Sequence, residues 1–399
     1  MIRLAILMFC VFSITTGEFV VAGILPEVAT DFQVTVGTAG LLITAYAVGM
    51  IVGGPVLTAL TARVDRKRLM LALLGVAVGG NAVSATAPDF SLLLGARVVT
   101  ALVTSTFFAQ AIVVVIRSAA PDRGATAVAR LALGMNLAMV LGAPLGTVIG
   151  RIWGWQMTFA AIGSACLLGM MLVARFITSP REEARSSALA ELRVLRRRPV
   201  LLALTITAVG NVGALMVFSY LAPLLTNVAG HAAGRLPTLL LTYGIGATIG
   251  GLLGGTLFDR RPRTAQPVLL GCLAAAFAVA WFVATSPTPS AVAVAVIGAL
   301  SFAIIPGMQA RVMSAAHEAP TLAMAVNASG YQVAAAVAGL AGGLIVDSAA
   351  GPRTIYPVAA ALTVCGLVLS AAAVRPARSP SSRPDRPTGP RDRATAIRR

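Results

Sequence analysis

Acidic residues are scarce in this chain: 14 Asp and Glu stand against 31 Lys and Arg in 399 residues. There are only two histidines, His231 and His317, and both fall in loops. With no grouped acids and no histidine beside a nucleophile, no catalytic set can be assembled, so an enzyme is not expected. The four cysteines, Cys10, Cys166, Cys272 and Cys365, lie singly in apolar runs. Their lack of paired spacing argues against disulfides and metal sites and leaves them as small packing residues. Charged residues of any kind make up 11% of the chain, hydrophobic residues 57%, and the mean hydropathy is +0.87. No soluble domain buries that much apolar side chain in one core, so the chain reads as a polytopic membrane protein.

Apolar runs of about twenty residues, broken by charged or turn-rich pieces, place spans near 4–26, 38–60, 69–87, 91–116, 125–149 and 156–177. A second set follows near 200–226, 236–258, 267–285, 291–313, 322–346 and 354–374. The first run has the length of a retained span and no small-x-small cleavage pattern near Pro26, which argues against a signal peptide. The expected organisation is a six-helix bundle over 1–178, a linker over 179–199 with a short amphipathic helix at Ala188–Arg198, a six-helix bundle over 200–374, and a basic disordered tail over 375–399.

The net charge of +17 takes its meaning from where the charges lie. The loops on one side hold only Arg151, Arg235 and Arg353, and Arg97 and Arg130 sit within spans. All remaining Lys and Arg fall on the side of the two termini. By the positive-inside rule that side is cytoplasmic, which makes the excess charge topological and a nucleic-acid partner unexpected.

Glu18 lies inside the first apolar run, and no other run has an Asp or Glu in its interior. A carboxylate at that depth is costly unless it is used, so it reads as a proton or cation site, with a buried packing residue as the alternative. Arg97 in the fourth span lies about eight residues from the outer end at Asp89, roughly 12 Å at 1.5 Å per residue. Glu18 lies about as far before Pro26 on a helix running the other way, so the two side chains are expected at similar depth. A nearby cation favours the charged form of a carboxylate and apolar surroundings the neutral one. Such opposed influences suit a group that loads and releases a proton.

The two sets of spans repeat. At a single offset of 197, Pro26 matches Pro223, Tyr46 matches Tyr243, and Gly49, Gly53 and Gly54 match Gly246, Gly250 and Gly251. The register continues through Arg63 and Arg260, Arg66 and Arg263, Gly142 and Gly339, and Gly146 and Gly343. A parallel repeat of six spans is an arrangement of alternating-access transporters, with a site near the midplane. The same offset sets Leu215 against Glu18, so coupling is expected to reside in the first bundle.

Glycines at spacings of eight, four and four in the fifth span, at Gly134, Gly142, Gly146 and Gly150, offer a groove to a neighbouring backbone, and Pro144 permits a kink. Here the sequence resembles the major facilitator superfamily and, within it, the twelve-span drug:proton antiporters. Their fifth-span motif ends in Gly-Pro-x-x-Gly, matched at Gly142, Pro144 and Gly146 with Ala143 intervening. The loop Leu60 to Arg68 is similar to a degenerate form of the family's Gly-x-x-x-Asp-Arg loop, with Thr58 and Ala62 in place of its Gly and Asp. Gly255 to Arg261 keeps that pattern better. The resemblance implies a cytoplasmic latch at Arg63, Asp65, Arg66, Gly255, Asp259 and Arg260. Arg97 followed by Ala101 is similar to the family's Arg-x-x-x-Gly motif. Glu18-Phe19, Gly23-x-Leu25-Pro26-Glu27 and Ala39 to Gly49 resemble the branch of arabinose-type efflux permeases and chloramphenicol exporters.

The fold expected is therefore an all-α integral membrane protein of twelve transmembrane helices in two six-helix pseudo-repeat bundles. The expected function is proton-coupled efflux of a small amphipathic compound, an antibiotic such as chloramphenicol, through Glu18 and Arg97. Export of a sugar, nucleoside or other metabolite, and an uncoupled facilitator or transporter-like sensor, are the alternatives. Polar residues within apolar runs are candidates for the cavity: Thr15, Tyr46, Asn81, Gln110, Asn136, Asn211, Tyr220, Asn327, Tyr331 and Gln332. No cofactor or metal is expected beyond the proton gradient. The expected partners are the solute, protons and the bilayer, and the expected state is a monomer in the cytoplasmic membrane with both termini inside.

Overall fold

A computed structural model describes residues 2–61, 64–118, 124–177, 198–315 and 320–374. Most of the linker with its expected helix, the tail at 375–399, Arg63 and His317 lie outside those residues. Among the described residues there is no strand, and twelve helices are long and apolar enough to cross a membrane. They run at Ile2–Phe19, Val36–Gly54, Arg66–Ala85, Phe90–Ile116, Arg130–Trp153, Trp155–Phe176, Arg198–Ser219, Ala233–Arg260, Ala265–Val283, Pro287–Ala315, Asn327–Val346 and Pro352–Ala373. Each falls on one of the expected spans. They are numbered one to twelve below, and the face carrying both chain ends is called the terminal face.

Within the first six spans, two packs on four, three on six and one on five. Within the last six, eight packs on ten, nine on twelve and seven on eleven. The repeat reaches individual contacts. A Cβ on Gly49 would stand 2.8 Å from the Val98 carbonyl, and one on Gly53 2.3 Å from the Leu102 carbonyl. In the second half Gly246 meets the Ala295 carbonyl at 2.4 Å and Gly250 the Ala299 carbonyl at 1.8 Å. Both partners have moved along the chain by the same 197 positions. Glycine here lets two helix backbones touch, which is how membrane helices associate without a hydrophobic driving force.

Several spans are broken near proline, and the breaks set the site. Span one ends its regular helix at Phe19, turns at Val20, and resumes as Val21–Asp31 with Pro26 inside. Span seven breaks at Tyr220 and passes through Leu221–Pro223 into a π-helical turn at Leu224–Val228. In span five Pro144 has no N–H to give the Val140 carbonyl. The turn before it widens into a π-helix at Ala138–Gly142. The expected kink thus takes the form of one wide turn, a feature that gathers at functional sites in helices.

Spans five and six are joined through Gly154 alone, whose φ of 92° and ψ of 147° suit glycine. Asp31, at the end of the span-one extension, accepts from Trp155 Nε1 at 2.8 Å and Gln156 Nε2 at 2.9 Å, which pins the start of span six to it.

Candidate functional site

Glu18 is half-buried near the middle of span one, just before the break. Its Oε1 accepts from Gln332 Nε2 at 3.0 Å, a bond between the two halves of the chain. Arg97 is completely buried in span four. Its Nη2 donates to the carbonyl of Gly17, one residue before Glu18, at 2.5 Å. The guanidinium lies 4.4 Å from the centroid of the Tyr46 ring and 5.4 Å from that of Phe159. Tyr46 is held in turn by a 2.9 Å hydrogen bond between its hydroxyl and Thr104. Arg97 Nε and Nη1 have no hydrogen-bond partner, so the charge is balanced by ring faces, one carbonyl and the field of Glu18. The depth match expected between Glu18 and Arg97 is present, with the Gly17 carbonyl as the direct contact.

Beside Glu18 a small, largely apolar cavity opens between the halves, walled by Phe19, Phe218, Tyr243, Phe302 and Tyr331, with Asn211 and Ser301 as polar groups. Phe218 stands edge-on to Phe19 with ring centroids 5.9 Å apart and lies 5.1 Å from Tyr243. Of the expected cavity residues, Asn211 and Tyr331 line this space, and Gln332, next to Tyr331 in the chain, is taken up by its bond to Glu18. Asn211 also donates to the Thr207 carbonyl and to Met308 Sδ. The others are placed elsewhere. Tyr46 packs under Arg97, Asn81 donates to the Ala77 carbonyl within its own helix, and Tyr220 is part of a seal described below. Thr15 and Asn327 are buried, Gln110 is half-buried, and Asn136 is exposed. Of the aromatic walls, Phe19, Phe218, Tyr243 and Phe302 were not among the named candidates, although Tyr243 is the repeat mate of Tyr46 and Phe19 follows Glu18 directly.

The span-five glycines bring that helix onto span one. Gly134 lies against the Met8 carbonyl, Gly142 against Thr16, Gly146 against Val20, and Gly150 against Ile24 and Thr158. On its other side the same helix meets span eight, where a Cβ on Gly244 would stand 2.7 Å from Val140 Cα.

On the face away from the termini the halves are sealed. Asp347, after span eleven, accepts from the Gly37 amide at 3.0 Å and the Thr35 hydroxyl at 2.5 Å. Tyr220 donates to the Gly339 carbonyl and leaves no room for a side chain on Gly40. Arg151 donates to the Ala233 carbonyl. Glu27 lies beneath this face within the field of Arg151; its Oε2 is buried without a partner. Burial pushes its carboxyl above the ordinary carboxylate range, against its own backbone amide and Arg151. Toward the terminal face, the helices Gly124–Leu137 and Ile305–Ala315 make their substantial contacts only within their own halves. Asp259 and Arg260 stand exposed there and Gly255 faces open space; Asp65 caps its helix by accepting from the Arg68 amide at 3.0 Å, with Arg66 at the first turn.

Twelve membrane-length helices in two repeated sets of six, around a polar site at mid-depth, are matched by a sequence model of the Major Facilitator Superfamily over residues 7–322. The chain belongs to that superfamily. Its members are transporters, so this superfamily protein is a multi-pass membrane transporter and not an enzyme. It is 34% identical over 355 residues to a chloramphenicol resistance protein of Streptomyces lividans, with 88% of this chain and 90% of the relative covered. It is 30% identical over 348 residues to a probable sugar efflux transporter of Mannheimia succiniciproducens, covering 87% and 86%. Its fold superposes with TM-score 0.70 and 16% identity on a bacterial homologue of the human lysosomal transporter Spinster, solved inward-facing and unoccupied, over 93% of this chain and 95% of that one.

Proposed function

We propose that this transporter is a proton-coupled exporter of a small amphipathic compound across the cytoplasmic membrane, with both termini cytoplasmic and an antibiotic of the chloramphenicol kind as the leading solute. The observation that carries the reading is the Glu18 carboxylate, set at mid-depth with Arg97 behind its backbone and its side chain bonded across the interface. An intramembrane acid in such a position is a proton site by default. With the outer face sealed by Asp347 and Tyr220, Glu18 and the solute load from the cytoplasmic side. One proton moving down about 100 mV supplies ~2.3 kcal/mol, and one pH unit adds ~1.4 kcal/mol. Together they support a gradient of several hundredfold. The energy source is the proton gradient, with no cofactor or metal. The span-five glycines hold that helix on span one, its π-turn seals against Gly244 of the other bundle, the basic loops at Asp65 and Asp259 latch the terminal face when it closes, and the protein works as a monomer.

The resistance protein of Streptomyces lividans favours an aromatic drug, and so do the rings of Phe19, Phe218, Tyr243, Phe302 and Tyr331. A second reading, export of a sugar or related metabolite, is favoured by the sugar efflux relative. A cavity with so few amides suits it less. A susceptibility screen of an expressing strain against an antibiotic panel, paired with sugar-efflux assays, decides between them. Proton release from the purified protein on addition of solute is expected; its absence would make Glu18 structural and the protein a facilitator or sensor.

A further inference from the structure

We propose that Gln332 is the positioning residue through which the second bundle senses the protonation state of Glu18. The inference rests on the proton-coupling reading above and deepens it.

The hydrogen bond between Glu18 Oε1 and Gln332 Nε2 joins side chains 314 positions apart, one in each bundle. Gln332 is buried, and its own Oε1 has no partner. The amide therefore spends its one cross-interface contact on the carboxylate. An ionised carboxylate is an acceptor only, so it must be met by the N–H side of the amide, the orientation found here. A proton on Glu18 replaces a charged acceptor by a neutral one, and hydrogen bonds to charged groups are about twice as strong. Rotating the amide to offer its oxygen to the new O–H would leave Nε2 facing the pocket where Oε1 now has no partner. Proton loss thus tightens the tie between the bundles at mid-depth and proton gain loosens it. The conformation with the outer face sealed is the one in which the tie is made.

The groups within electrostatic reach of Glu18 come from three further places: Arg97 on span four, Tyr46 on span two and Tyr331 on span eleven. Arg97 and Tyr46 belong to the same bundle as Glu18 and travel with it, and Tyr331 makes no hydrogen bond to it. Gln332, of the other bundle, is the residue that hydrogen-bonds the carboxylate among the described residues.

The test follows bundle separation as a function of pH. Pairs of spin labels on exposed positions of the outer face, one in each half, report its opening in detergent or nanodiscs. In the otherwise unaltered chain the ratio of closed to open forms is expected to change about five- to tenfold across the titration of Glu18. In Gln332→Met, which keeps length and burial but removes the donor, that pH response is expected to vanish while proton release on addition of solute persists. Gln332→Leu is the second variant should the first fold poorly. In a Glu18→Gln background, Gln332→Met is expected to produce no further change in pH response. An unaltered pH response in both Gln332 variants would overturn the inference and leave proton coupling standing. Absence of both pH response and proton release in the unaltered chain would overturn the coupling reading itself, and this inference with it.

Discussion

Asp347 holds both Gly37 and Thr35 with one carboxylate, Oδ1 on the Gly37 amide at 3.0 Å and Oδ2 on the Thr35 hydroxyl at 2.5 Å. The acid belongs to the last six spans and its donors to the first six. The carboxylate thus closes the outer face by gripping the start of span two, where the backbone amides of a new helix are unpaired. Hydrogen bonds to a charged acceptor contribute about 1.5–3 kcal/mol each when the geometry is good. Asp347→Ala is expected to shift the protein at least tenfold toward forms open on that face, read as faster thiol labelling of a cysteine placed there. Gly37→Ala is expected to do the same by another route, since its Cβ would stand 2.3 Å from Asp347 Oδ2 and 2.4 Å from the Gly343 carbonyl.

Glu18→Gln keeps the size of the side chain and removes its charge. Active export is expected to fall from a several-hundredfold gradient toward simple equilibration. Binding of solute, measured by fluorescence quenching or calorimetry, is expected to change little. Full efflux by that variant would rule out Glu18 as the proton carrier.

Arg97→Ala removes the cation whose field reaches Glu18 across the Gly17 carbonyl. The pH profile of transport is expected to move upward by about one unit, because less of the ionised form is favoured at a given pH. Arg97→Lys, which keeps the charge but loses the planar stacking on Tyr46, is expected to move it less. An unchanged profile in Arg97→Ala would break the link between the two residues.

Glycine substitutions divide sharply by position. Gly53→Ala and Gly250→Ala each push a methyl group into backbone, at 2.3 Å and 1.8 Å from the Leu102 and Ala299 carbonyls. Backbone cannot give way as a side-chain tip can, and each is expected to cost about 1–3 kcal/mol, seen as a lower melting temperature in detergent. Gly251→Ala and Gly255→Ala meet nothing within 4 Å and are expected to be neutral or slightly stabilising.

Glu27 supplies a pH dependence of stability. Its folded carboxyl titrates above the unfolded value of 4.5, so the folded state holds its proton more tightly. A group of that kind favours the folded state fully below the unfolded value and loses that contribution as pH rises through the raised one. Thermal stability is thus expected to decline as pH rises from about 4.5 toward neutrality, and Glu27→Gln is expected to flatten that decline and raise the melting temperature at neutral pH.

The parts legible from residue order were those that depend on distance along a helix. Run length marked the twelve spans, the 197-residue offset marked the repeat, and a fixed rise per residue set Glu18 and Arg97 at one depth. The parts hidden from it are those that depend on how the halves meet. Gln332 reads as one polar residue among many until the interface brings it to Glu18. Asp347 looks like any loop acid beside an apolar run. Tyr220 was expected in the cavity because a tyrosine hydroxyl can face either a solute or a carbonyl, and here it takes the Gly339 carbonyl. Pro144 announces a distortion, and its form, a wide turn beside Thr16 and Val20, is visible only in the packed structure.

The single-residue joint at Gly154 and the grip of Asp31 on Trp155 and Gln156 have a mechanical result. Span six cannot lag behind span five, and the end of span one cannot part from either without breaking two hydrogen bonds. Any displacement of the outer end of span one, beyond its break at Val20, is therefore carried by three helices at once.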